Sequence, residues 1–174
     1  MTLPESTPDR PSLRDEIGKR DPFASPQQEA YLNLLRTADV LQAEFQRLFK
    51  SCGLSNSLYN ALRIVVGAGR RGVPVRTIGD RMVVREPDVS RLVDRLEHEG
   101  LVHRKRCKED RRVVWVCATA AGTRKVRSLD DAVAGLHERQ LGHMTRRDLR
   151  QLSELLADAR RHVGESGDEP RTRP

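Results

Sequence analysis

Cysteine is scarce in this chain of 174 residues, which has only Cys52, Cys107 and Cys117. An odd number without Cys-x-x-Cys spacing excludes a disulfide framework, and with it the small secreted scaffolds. Long apolar runs are missing too. No stretch approaches the roughly 20 residues that cross a bilayer, and the N-terminus has no apolar signal region, so a cytoplasmic protein with no membrane partner is expected. There is no Gly-rich phosphate loop, no nucleophile elbow and no His-Glu-x-x-His sequence. His98, His103 and Cys107 fall on a helix end and one strand without a standard ligand spacing, and His137 and His143 occupy different helical faces, so no metal site is expected. The chain reads as a binding protein without cofactor rather than an enzyme.

Positive charge is what the chain has in excess. Its 32 Lys and Arg against 25 Asp and Glu leave a formal charge of +7. That sum suits a polyanionic partner but also a solvated surface, and only its placement decides between them. The placement is local: Arg104, Lys105, Arg106, Lys108, Arg111 and Arg112 crowd into one short segment.

An amphipathic helix precedes that segment. Across residues 88–99, Val89, Leu92, Val93 and Leu96 share one face, while Asp88, Ser90, Arg91 and Arg95 lie on the others. Gly100 is placed to end the helix. A basic strand over 101–107, a charged turn over 108–111 and an apolar strand over 113–118 then predict a hairpin. Upstream, Pro74 suits the first turn of a short helix carrying Val75, Ile78 and Met82 on one side. Residues 83–86 form the turn, with Val84 expected underneath it, and Pro87 is expected at the first position of the second helix. Helix, turn, helix and basic hairpin in this order make a winged helix-turn-helix, whose second helix reads the major groove of double-stranded DNA. Glu86, Pro87, Asp88, Ser90 and Arg91 are then the residues nearest base edges, with Arg95 beside them.

Helices flank the unit. Residues 1–25 hold four prolines and many charges without a period, so disorder is expected there, with room for a short helix near 13–19. Tyr31, Leu34, Leu35, Ala38, Leu41, Phe45, Leu48 and Phe49 trace a long helix from Pro26 to about Gly53. A helix capped by Ser55 or Ser57 carries Leu58, Leu62 and Val65 and is broken by Gly67, Gly69 and Gly72. Thr119 is a candidate N-cap for a helix bearing Val126, Leu129, Val133 and Leu136. Thr145 with Asp148 resembles a capping box before Leu149, Leu152, Leu156, Ala159 and Val163. The expected organisation is an N-terminal extension over 1–25, a dimerisation helix over 26–53, a DNA-binding domain over 54–119, dimerisation helices over 120–163 and a disordered tail over 164–174. The fold class is mainly α with a small β-hairpin wing and long terminal helices. Their apolar stripes could fold back within one chain or pair with a second copy. A homodimer is expected, because two identical readers on an inverted repeat gain affinity and specificity.

The residues Asp-Val-Ser-Arg-Leu-Val-Asp-Arg-Leu-Glu-His-Glu-Gly-Leu-Val-His-Arg from Asp88, followed by Asp-Arg-Arg-Val-Val-Trp-Val-Cys-Ala-Thr-Ala-Ala-Gly from Asp110, resemble the signature of the multiple antibiotic resistance regulator (MarR) family. The resemblance spans 26–163 in helix order and is most specific over 86–122. It implies a dimeric transcription regulator, usually a repressor relieved by a phenolic or other small effector, or by thiol oxidation. Residues 87–99 match the family's recognition helix, and Asp110 and Arg112 match its wing pair, whose arginine enters the minor groove. Arg104, Arg106, Lys108 and Arg111 join the expected DNA contacts. Ile78-Gly79 stands where the family usually has Leu-Ala, and Ala118-Thr119 where it has Leu-Thr, so looser packing is expected at both places.

Family ligands occupy a crevice whose walls here would include Tyr31, Leu35, Leu58, Tyr59 and Leu62, with Arg63 or His98 meeting an anion. Core packing is the competing role for the apolar members. Asn60 stands where the urate-responsive branch has an acid, which disfavours urate. Cys107, beside Arg106 and Lys108, is the one candidate thiol sensor, although alternation along the strand would turn it toward the core. An effector-independent DNA-binding or architectural protein would share every DNA-facing residue.

Overall fold

The computed structural model describes residues 12–106 and 113–166, which divide into two compact units between Ser55 and Asn56. In the first, α1 (Leu13–Glu16) is a single turn closed by a capping box. The Ser12 hydroxyl faces the Asp15 amide at 3.3 Å, and the Asp15 carboxylate takes the Ser12 amide at 3.1 Å. The short helix expected near 13–19 is therefore one turn long, inside the segment otherwise expected to be disordered. α2 (Pro26–Ser51) starts where its sequence predicts, with Pro26 in the first turn and the Ser25 hydroxyl accepting from the Gln28 amide at 3.2 Å. Phe49 is buried within it, yet Tyr31, Leu34, Leu35 and Val40 are exposed.

The second unit holds the rest. It comprises α3 (Asn56–Gly67), a 3-10 turn (Gly69–Arg71), β1 (Val73–Pro74), α4 (Val75–Arg81), α5 (Val89–His98), β2 (Val102–Arg106), β3 (Val114–Ala118), α6 (Ala120–Leu141) and α7 (Arg146–Ser166). The sheet runs β1-β3-β2, antiparallel throughout, with Val73 opposite Val116 and Arg104 opposite Val116 on its other side. The core is drawn from every layer: Leu58, Leu62 and Val65 of α3, Ile78 of α4, Val93 and Leu96 of α5, Val102 of β2 and Val116 of β3 are almost wholly removed from water. α6 packs on α3 and β3 as part of this unit. The result is a mainly helical fold with a small β-hairpin wing.

Local rules account for the joints. Gly100 takes the left-handed conformation, with φ of 69°. Its amide bonds Glu97 O and that of Leu101 bonds Leu96 O, both at 2.9 Å, so the chain leaves α5 through a Schellman turn. Thr119 caps α6, its hydroxyl accepting from the Gly122 amide at 3.0 Å while lying 2.8 Å from Gly100 O, to which it donates. Thr145 and Asp148 form the expected cap of α7. Gly122 lies directly against the Leu101 carbonyl, where a Cβ would collide.

Four expectations are corrected. Pro74 is the N-cap of α4 and closes β1, so that helix starts at Val75. Pro87 precedes α5, because the Asp88 carboxylate caps it by accepting from the Arg91 amide at 2.9 Å and sets its first residue at Val89. Val84 is not tucked under the turn: it is 60% exposed and Val83 87%. The turn is held from another side, by Asn60 of α3, whose Oδ1 accepts from the Val83 amide at 3.0 Å. Nor is packing loose at Gly79, since a Cβ there would stand 3.2 Å from Val89 Cγ2; the glycine lets α4 and α5 close up. No described helix is long and apolar enough to cross a membrane.

Candidate nucleic-acid interface

The polar side of α5 is the centre of the site. Its apolar stripe is committed to the core through Val93 and Leu96, which leaves Ser90, Arg91 and Arg95 exposed on the other faces. Arg91 forms no salt bridge among the described residues. Arg95 is drawn along the helix to Glu99, with Nε and Oε1 3.1 Å apart, an exposed pair that phosphate can outcompete at little cost. Asp88 and Pro87 are exposed at the start of the helix and Glu86 is half-buried. Asp88 serves the helix itself, as its cap.

The hairpin begins beside this helix. Alternation along β2 turns His103 and Lys105 to one face and Val102, Arg104 and Arg106 to the other. Arg106 is exposed. Arg104 is a correction to the expected set of free cations: its side chain is only 26% exposed and bonds Asp94 and Glu97 of α5. Asp94 and Glu97 were not singled out from the sequence, although their three-residue spacing on α5 is the signal that could have found them. Cys107, Lys108, Asp110, Arg111 and Arg112 lie outside the described residues. On the opposite face of the sheet, the Arg71 guanidinium lies over the Trp115 ring at 5.5 Å. Cys117 is buried, its thiol 3.8 Å from Arg71 O.

The expected effector residues differ in exposure and pairing. Leu58 and Leu62 are sealed in the core, with 1% and 0% exposure, so neither presents a wall to a ligand. Tyr59 is buried as well, and that burial pushes its hydroxyl above its ordinary pKa, with Arg63 opposing the shift and Asp130 adding to it. The phenol is therefore neutral at physiological pH. Arg63 is paired with Asp130 of α6 at 2.7 Å, a partner the sequence reading missed because it lies 67 residues away. His98 is exposed at the end of α5, and Tyr31 and Leu35 are exposed on α2. Among the described residues, no group of three or more His, Cys, Asp or Glu is placed to hold a metal ion.

Known proteins resemble the chain in this same region. The MarR family model matches residues 54–114. No curated protein matches. A MarR transcription factor from Planctomyces limnophilus is 41% identical over 78% of this chain and 98% of its own, with a TM-score of 0.60. MepR of S. aureus, solved in complex with DNA, is 17% identical over 75% of this chain and 94% of its own, with a TM-score of 0.66. CouR of Rhodococcus jostii RHA1, solved with p-coumaroyl-CoA, is 23% identical over 77% and 93%, with a TM-score of 0.67. The last two share the fold. The first shares sequence along nearly its whole length, and the family match falls on α3, α4, the turn, α5 and β2 described above. On these grounds the chain belongs to the MarR family of DNA-binding transcription regulators, which are not enzymes.

Proposed function

We propose that the protein works as a homodimer that binds an inverted repeat in double-stranded DNA and represses transcription until a small molecule, such as a phenolic compound, releases it. The observation that carries this reading is the exposed first turn of α5, where Ser90 and Arg91 stand clear of the core at the end of a helix whose other face is fixed by Val93 and Leu96. Arg91 reads a guanine through both its acceptors, while Ser90 and Arg95 hold phosphates on either side. Glu86, Pro87 and Asp88 border the same groove. Arg106, Lys108 and Arg111 follow the backbone, and Arg112, two residues after Asp110 in the sequence, enters the minor groove. In this reading 54–119 is the DNA-binding domain, and 26–53 with 120–163 hold the dimer. Two-fold symmetry then sets the half-site centres about 10 base pairs apart.

The effector reading rests on Tyr59 and Arg63. An anionic phenol can take the Arg63 guanidinium from Asp130 while accepting a hydrogen bond from the neutral Tyr59 hydroxyl. Selection from a random DNA pool, followed by footprinting, tests the DNA half of the proposal: an enriched inverted repeat is expected, and full affinity for one unpaired half-site contradicts it. Thermal melting with phenolic acids, antibiotics and quinones tests the rest, because a compound that binds only the folded protein raises its melting temperature. No shift with any of them favours effector-independent DNA binding.

A further inference from the structure

The surroundings of Arg104 are anionic, and they belong to the protein. Its Nη2 lies 2.6 Å from Asp94 Oδ1 and 3.3 Å from the Ser90 carbonyl, and its Nη1 lies 2.5 Å from Glu97 Oε2. The Arg104 amide donates to the other Glu97 oxygen at 2.8 Å, so one carboxylate grips both the main chain and the side chain of one strand residue. Ser90, Asp94 and Glu97 are four and three residues apart, which stacks them on one stripe of α5. A planar guanidinium with five donors in a fixed fork can meet three acceptors along such a stripe, whereas a single ammonium cannot. The Arg104 amide, and then its side chain, hold the Glu97 carboxyl below the ordinary carboxylate range, so the grip is fully ionised at neutral pH.

We infer that Arg104 is a positioning residue, not a phosphate contact: through Ser90, Asp94 and Glu97 it locks the strand that leads into the wing onto the reader helix. The inference rests on the reading of α5 and the hairpin as the two DNA-contacting elements. A phosphate approaching Arg104 meets two carboxylates that repel it. The lock instead fixes the angle between an element aimed at the major groove and one aimed at the minor groove, so that both engage at once. Without it, binding one groove no longer places the other contact, and the ordering cost is met only on the DNA.

The test uses the full-length protein and its Arg104→Gln, Glu97→Gln and doubly substituted forms. Each is titrated, below its measured melting temperature and across a salt series, with the duplex recovered by selection and with a scrambled duplex. Each single variant is expected to lose about tenfold in preference for the selected duplex. The double variant should be no worse than either single, as for members of one network. The salt dependence should keep its slope. Hydroxyl-radical protection in the minor groove should weaken while methylation protection of guanine N7 in the major groove persists. Arg104→Lys keeps the charge and the stem, and it should recover only part of the preference. A phosphate contact gives the opposite pattern: Arg104→Gln lowers the salt slope by about one, and Glu97→Gln tightens binding by releasing the guanidinium. Either result, or unchanged preference in all the variants, overturns the inference. A parent protein that enriches no sequence at all refutes the underlying DNA reading, and this inference with it.

Discussion

The winged part of the molecule and its long helices use apolar residues in different ways. α3 is 12 residues long and buries Leu58, Tyr59, Ala61, Leu62 and Val65. α2 has 26 residues and buries Phe49 alone, and α7 shows no buried side chain among its described residues while leaving Leu152 and Leu155 exposed. The winged part completes its core within one chain, with α6 adding Val126, Leu129 and Leu136, whereas α2 and α7 leave apolar side chains exposed. Burial thus separates apolar residues covered within the chain from those left open on its surface. Sequence periodicity alone does not, because a stripe of leucines looks the same whether its cover comes from the same chain or another.

The largest test of this contrast is Leu152→Glu with Leu155→Glu. The paired substitution should leave the winged unit folded, reduce the particle to a monomer by light scattering, and abolish tight binding to the selected duplex. A dimer that survives it would place the association surface elsewhere. Leu62→Ala should do the reverse, costing about 2 to 5 kcal/mol in chemical denaturation through the cavity it leaves while the folded protein remains dimeric. Arg91→Ala touches neither core nor interface. It should cost about 1 to 3 kcal/mol against the selected duplex and flatten the preference at one base position, whereas Arg95→Ala should weaken all duplexes alike in a fluorescence titration. Asp130→Ala should change stability least, by about 0 to 1 kcal/mol, because its pair with Arg63 is about half exposed. The same change should strengthen any phenolic anion that takes Arg63 as its partner, read as a larger thermal shift.

Much of the fold is legible in the residues because its joints depend on local chemistry. Gly100, Thr119 and the Thr145 and Asp148 pair act where short-range capping rules place them, and the hairpin strands follow from their alternation. Pro87 and Asp88 show the limit of such rules. Both are good helix starters, and the choice fell to the carboxylate that could reach the Arg91 amide. The site was less legible than the fold, for a reason that recurs at each miss. Arg104, Arg63 and Asn60 are polar residues whose partners lie on other elements, seven, 67 and 23 residues away. A sequence shows which residues share a face, but not which faces meet. Leu58 and Leu62 illustrate the same point in the core, where two residues expected to line a crevice are sealed from solvent.

The contact between Gly122 and the Leu101 carbonyl gives α6 the mechanics of a lever. The helix is pinned at its root, where the glycine lets its first turn press on the chain entering the hairpin and Thr119 ties the same turn to Gly100. From there its 22 residues extend about 33 Å. A tilt of about 5° at that fulcrum displaces the far end by about 3 Å, close to the rise of one base-pair step. A small tilt at that root therefore becomes a shift of about 3 Å at the far end, and what it must strain is the packing of α6 on α3 and the Arg63–Asp130 bridge midway along the helix.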